Sequence, residues 1–155
     1  MIGKVCRRGA DTRRLLVYLF TEGQAGERGL ESEHRGARVI AGYDAPGLLE
    51  PQRRSNGRAD VTRLAGLLDA AVRAGGVGKD AKPVYHLAIS AAPGDRTLTD
   101  AEWADIAAQY LDRLGLAKRG DSDAVRRVAV RHADTHVHVV ATLVRQDGRR
   151  VFPHH

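Results

Sequence analysis

Val128-Ala-Val-Arg-His132-Ala-Asp-Thr-His136-Val-His138-Val-Val-Ala-Thr142 decides how this chain is read. Three of the seven histidines in the 155-residue sequence fall within seven positions of one another here. The flanking runs are Val-rich with short alternation, which is strand composition, and the break between them reads as a hairpin turn. A three-residue loop from Ala133 to Thr135 would set His132 directly opposite His136. Side chains alternate across a strand, so His138 falls on the same face as His136. Cross-strand neighbours lie about 5 Å apart and diagonal ones about 7–8 Å. Three imidazoles then converge on one point, as the three protein ligands of an open divalent-metal site do. The competing interpretation is an exposed, merely His-rich hairpin end.

Outward from the hairpin, the chain has an α+β order. Strands are expected at Ile2–Cys6, Ala37–Tyr43, Val84–Ser90, Val125–His132 and His136–Val144. Asp11 or Thr12 can cap a helix carrying Leu15, Leu16, Leu19 and Phe20, stopped by Gly23. Residues 24–36 are a Gly/Glu-rich loop, and Asp44 to Ala59 lacks periodicity and is also expected to be a loop. Asp60 is the expected cap of a helix with Val61, Leu64, Leu68, Ala71 and Val72 on one stripe, closed by Gly75-Gly76. Thr99 and Glu102 spell a capping box, with Leu98 and Trp103 at the two staple positions. That helix carries Ile106, Ala107, Tyr110, Leu111 and Leu114 on its stripe and stops at Gly115. The sum is a five-stranded, mainly antiparallel sheet with helices packed mainly on one face. Apolar residues on both faces of His136–Val144 mark it as a central strand. His86, Ala88 and Ser90 share a face of small and polar residues, as a groove floor would.

Composition sets limits. The length fits one compact domain, and 43% hydrophobic residues exclude wholesale disorder. A net charge of +6 and a pI near 10.0 favour a polyanionic partner, nucleic acid being the commonest. The basic residues are mostly Arg beside many Ala and Gly, a pattern that a GC-rich genome also produces. The single Cys6 forbids an intramolecular disulfide and suits a reducing compartment. No apolar run approaches the ~20 residues of a membrane span, and no signal-peptide pattern opens the chain. The expectation is a soluble cytoplasmic protein.

A His-hydrophobe-His pair ending a strand, with a third His just upstream, resembles the metal motif of the mobilisation relaxases, members of the rolling-circle endonucleases named for that pair. Arg14-Leu-Leu-Val-Tyr18-Leu-Phe resembles the segment that carries their nucleophilic tyrosine. Val84-Tyr-His86-Leu-Ala-Ile-Ser90 and Leu98-Thr-Asp-Ala-Glu102-Trp103 resemble the strand and helix between the two motifs. The resemblance spans Met1 to about Val144. It implies a nuclease domain over residues 1–150 and a tail over 151–155; relaxases usually continue with further helices, so the chain resembles a minimal or truncated nuclease core. It also implies His132, His136 and His138 as ligands of a divalent ion, Mg or Mn, and Tyr18 as nucleophile. The activity implied is nicking and rejoining of single-stranded DNA at an origin of transfer, through a covalent 5′-phosphotyrosyl intermediate, in plasmid or integrative-element mobilisation. Accessory relaxosome proteins and a type IV coupling protein are the implied partners.

The residues alone leave more than one tyrosine open. Tyr110 belongs to a core stripe and Tyr85 to the apolar face of its strand, so both read as structural; Tyr43, before a Pro/Gly loop, remains an alternative to Tyr18. His86 reads as a residue behind the ligands, a DNA contact or a satisfied core histidine, and Ser90 matches a family position near the substrate strand. Asp134 reads as a turn residue, Asp44 and Glu33 as acids orienting a ligand or as exposed carboxylates. His34, His154 and His155 carry no assignable role. Two other classes compete: an inactive DNA-binding module acting as origin binder or repressor, and a three-histidine phosphohydrolase without a covalent intermediate.

Overall fold

The computed structural model describes residues 1–21 and 36–153 in full, and the backbone alone of 23–24 and 33–34. The expectations for the side chains of Glu33, His34, His154 and His155 lie outside that set. Along the chain run β1 (Ile2–Val5), α1 (Thr12–Phe20), β2 (Gly23–Gln24), β3 (Glu33–His34), β4 (Arg38–Gly42), α2 (Pro46–Leu49), β5 (Gln52–Arg53), β6 (Ala59–Asp60), α3 (Thr62–Ala74), β7 (Val84–Ser90), α4 (Asp100–Arg113), β8 (Arg127–Ala133) and β9 (His136–Thr142). Five of the strands form one antiparallel sheet in the order β1-β7-β9-β8-β4. The expected α+β fold is the observed one, and β9 is its central strand.

Both faces of the sheet are covered, unequally. Leu16, Leu19 and Phe20 of α1, Leu49 of α2 and Leu64, Ala65 and Leu68 of α3 pack on Val128, Val130 and Val140. On the other face, Trp103, Ala107 and Leu111 of α4 pack on Tyr85, Leu87, Ile89, Val137, Val139 and Ala141. Period-two alternation along β7 and β9 therefore feeds two separate cores, one under three helices and one under α4 alone. The capping box forms as spelled: the Glu102 amide donates to Thr99 Oγ1 at 3.1 Å, and the Thr99 amide donates to Glu102 Oε2 at 2.8 Å. Gly115, at φ 76°, ends that helix in the left-handed conformation, with the Leu116 amide returning to Leu111 O.

Three expectations need correction. Residues 44–59 are not all loop: Pro46 occupies the first turn of α2, Leu49 is buried beneath Gly42, and β5 and β6 pair as a small hairpin. Elements of two to four residues are too short to show a period. Asp60 does not occupy the N-cap of α3; Val61 does, and the Asp60 carboxylate accepts the Thr62 amide from one position earlier. Helix α1 ends at Phe20 rather than running to Gly23, with Thr21 as its C-cap.

The fourth correction concerns the hairpin. Ala133 pairs with His136 and Arg131 with Val137, so the turn is only Asp134-Thr135 and His132 is an extra residue in a β-bulge. Neither turn residue has positive φ. The turn is thus not one of the primed types whose twist matches the strands, and the bulge takes up the mismatch.

Candidate metal centre

The bulge delivers His132 to the face that carries His136 and His138. One ligand atom from each of the three lies within 4.8 Å of the other two. His132 Nε2 and His136 Nε2 are 3.0 Å apart, and the ring centroids of the trio are separated by 4.6 to 5.4 Å. Two nitrogens bound to one ion at about 2.1 Å and at right angles would themselves be about 3.0 Å apart. The pair already has that spacing. His132 is fully buried, whereas His136 and His138 are half-buried, so the cluster opens on one side only.

The remaining ring nitrogens are held from behind. His138 Nδ1 lies 2.7 Å from His86 Nε2, and Thr135 Oγ1 lies 3.2 Å from His136 Nδ1. With a proton on Nδ1 donated to His86, His138 presents Nε2 toward its neighbours. A second-layer partner of this kind fixes tautomer and ring orientation in metal sites. His86 is brought to this role by register: it faces Val140, one step diagonally from His138, whereas Ser90 faces His136 directly. Ser90 is half-buried on the same face.

On the opposite side of the hairpin sits an arrangement that composition did not reveal. Arg131 is 4% exposed; its Nε donates to Ala133 O at 3.2 Å, its Nη2 to Asp134 O at 3.2 Å and its Nη1 to Asp100 Oδ1 at 2.6 Å. Arg38 holds the same carboxylate through Nε and Nη2 at 2.9 and 2.7 Å. These bonds, the Arg38 ones foremost, hold the Asp100 carboxyl below its ordinary range. Asp100 opens α4, so the guanidinium of Arg131 ties the bulge and turn to a helix N-terminus. The Ala91 amide anchors the turn from β7 by donating to Thr135 O at 2.8 Å. The only advance signal was an arginine at a position whose alternation pointed into an apolar layer.

The four tyrosines occupy different places. Tyr85 is 1% exposed on the α4 face, burial pushes its phenol pKa up, and its hydroxyl has no hydrogen-bond partner among the described residues. Tyr110 belongs to α4 and lies against Gly3. The Tyr43 amide donates to Arg127 O and its ring carries Arg126, which puts it at the far end of β8, five residues or about 16 Å along the strand from His132. Tyr18 is half-buried against the core of the histidine face.

Helix α1 starts where Thr12 bonds Asp69 of α3, beside Leu68, whose carbonyl accepts from Thr142. It ends at Phe20 and Thr21, which share a groove with Arg53, and Arg53 donates to Ala37 O next to Arg38, the partner of Arg131. The helix thus runs from the Thr142 end of the sheet toward the histidine end, with Tyr18 in its last turn. Asp134 is exposed in the turn, and Asp44 is exposed beside Tyr43, away from the cluster.

Residues 54–155 match the family model described as "Relaxase: MobA/VirD2-like, nuclease domain". The chain belongs to the relaxase family. The matched stretch contains all three histidines of the cluster, together with His86 and Arg131, and begins after Tyr18. No curated protein and no solved structure matches the chain. Membership makes this a DNA-nicking family with metal-dependent chemistry and a single-stranded substrate. No helix among the described residues of the relaxase is long and apolar enough to cross a membrane.

Proposed function

We propose that this relaxase nicks and rejoins one strand of DNA at an origin of transfer, with Tyr18 as nucleophile and a divalent cation, Mg2+ or Mn2+, held by His132, His136 and His138. The convergence of three imidazoles, two of them already 3.0 Å apart, carries the reading. The donor set suits the task. Neutral imidazoles leave the ion's charge undiminished, and the cluster includes no carboxylate or thiolate to cancel it. Bound there, the cation would draw charge from a scissile phosphate and stabilise the transition state for its displacement.

The rest is done by side chains. His86 and Thr135 hold His138 and His136 in the orientation that binding needs. The Tyr18 oxygen attacks phosphorus and the bond to the 3′ oxygen breaks; the phenol's proton passes to solvent and the departing 3′ oxygen takes one from solvent. The product is a 5′-phosphotyrosyl bond and a free 3′-hydroxyl, and the reverse attack by that hydroxyl reseals the strand. Both tyrosines pack on the core of the histidine face, and position along the sheet supports Tyr18, in the last turn of α1 toward the histidine end, over Tyr43 at the far end of β8.

The test is incubation of the protein with labelled single-stranded origin DNA and Mn2+, followed by a denaturing gel. The parent should form a covalent adduct, mapped by peptide analysis to Tyr18, and Tyr18→Phe should form none while retaining DNA affinity. Cleavage by Tyr18→Phe without an adduct would instead indicate a water-using phosphohydrolase, and absence of cleavage in the parent would indicate a binding module.

A further inference from the structure

The histidine face continues past the cluster onto β1 and the end of β7 that carries Ala88 and Ser90; the helices of that face bury only the Val84 end of β7. Register defines its rows. Ala88 pairs with His138 on one side and with Lys4 on the other; Ser90 pairs with His136 and with Ile2. Paired residues share a face, so Lys4-Ala88-His138 and Ile2-Ser90-His136 run side by side across β1, β7 and β9. Gly3 confirms the phase of β1: a side chain there would collide with Tyr110 on the α4 face, so its neighbours Ile2 and Lys4 point the other way. All four residues of β1 are exposed, Ile2 at 67%, and the Lys4 ammonium has no ion-pair partner among the described residues.

From this layout, and resting on the single-stranded DNA reading above, we infer that the β1–β7 flank seats the DNA strand beside the scissile phosphate, with Lys4 holding a neighbouring phosphate. Two strand spacings set the Lys4 Cα about 10 Å from that of His138. Between them lies only Ala88, whose small side chain leaves the floor low. An exposed apolar residue next to an unpaired cation matches a nucleotide in kind, base over Ile2 and phosphate at Lys4. A protein partner would need a broader apolar patch than one isoleucine and its neighbours on a four-residue edge strand. The row also leads into the candidate metal centre, so a strand lying on it would reach the histidines without turning.

The experiment measures binding of a fluorescein-labelled single-stranded oligothymidine by anisotropy, in Mn2+ and across a range of salt. Lys4→Ala should lower the magnitude of the log–log salt slope by about 0.7, the value for one phosphate contact on a single strand, which corresponds to about fivefold weaker binding at 0.1 M salt. Lys4→Arg should restore both. Lys118→Ala, an exposed cation beside the α4 face, should change neither. Mn2+ affinity measured calorimetrically should be the same in Lys4→Ala and the parent. An unchanged affinity and slope in Lys4→Ala, or an equal loss in Lys118→Ala, overturns the inference alone. Failure of the parent to bind the oligonucleotide overturns the single-stranded DNA reading with it.

Discussion

The three histidines differ in how far they belong to the core. His132 is fully buried among the valines of β8 and β9, so truncating it removes packing as well as the proposed ligand. His132→Ala is expected to lower unfolding free energy by about 3 kcal/mol, as other buried truncations do, measured by urea titration. His138→Ala, at a half-buried position, should leave the urea midpoint nearly unchanged while abolishing Mn2+ binding in calorimetry. His86 touches His138 but is not one of the converging trio, so His86→Ala should weaken Mn2+ by about 10- to 100-fold without abolishing it, the usual cost of losing an orienting partner. Equal metal affinity in His86→Ala and the parent would mean that the 2.7 Å contact does not orient the ligand. Spacing and alternation were enough to place His132, His136 and His138 on one face. They could not choose among the roles open to His86, because that depends on which diagonal neighbour the register supplies.

The β8–β9 hairpin shows what a period can and cannot convey. Alternating valines indicate two strands and a turn, but a one-residue bulge leaves that alternation nearly intact on either side, so the three-residue loop expected at residues 133–135 is a two-residue turn, with Ala133 paired to His136 and His132 as the bulge. Arg131 braces the end of the hairpin, reaching the carbonyls of Ala133 and Asp134 and the Asp100 carboxylate at once. Arg131→Lys keeps the charge but loses the planar fork that spans these acceptors. It should therefore loosen the bulge, weakening Mn2+ binding by about tenfold while the helix content by circular dichroism stays at the parent level. Unaltered metal affinity in Arg131→Lys would show that the bulge holds its shape without the guanidinium. The capping box of α4, in contrast, was legible outright, because its four groups are adjacent in the chain. Helix α2 was not: Leu49 is buried by contact with Gly42, a tertiary fact that four residues of local text cannot contain.

At the scale of the whole molecule, two apolar layers back a single sheet, and acid–base pairs at the surface brace its turns and join distant segments. Arg96 foremost, then the Thr99 amide, holds Glu102 at about 2, and Arg149 foremost, through its side chain and its amide, holds Asp147 at about 2. Arg38 depresses Asp100 and Arg145 depresses Asp121 in the same direction. A carboxyl held below its unfolded value stabilises the fold at every pH above about 4.5 and loses that contribution as pH falls toward 2. Glu50 works in the opposite sense, since burial raises its pKa, but it is one group against six, Asp60 and Asp105 being held low as well. The urea midpoint should therefore be flat at neutral pH down to about 5 and then decline steadily. Because the Arg96–Glu102 and Arg38–Asp100 pairs are open to solvent and the Arg145 pairs only partly covered, each contributes little and salt should blunt the decline, the Debye length at 1 M being only about 3 Å. Asp100→Asn should remove part of the acid sensitivity. It should also weaken Mn2+ binding at neutral pH, because Asp100 holds the guanidinium that holds the bulge. A variant that loses the acid sensitivity yet binds Mn2+ as the parent does would separate the surface network from the metal centre and contradict the path from Asp100 through Arg131 to His132.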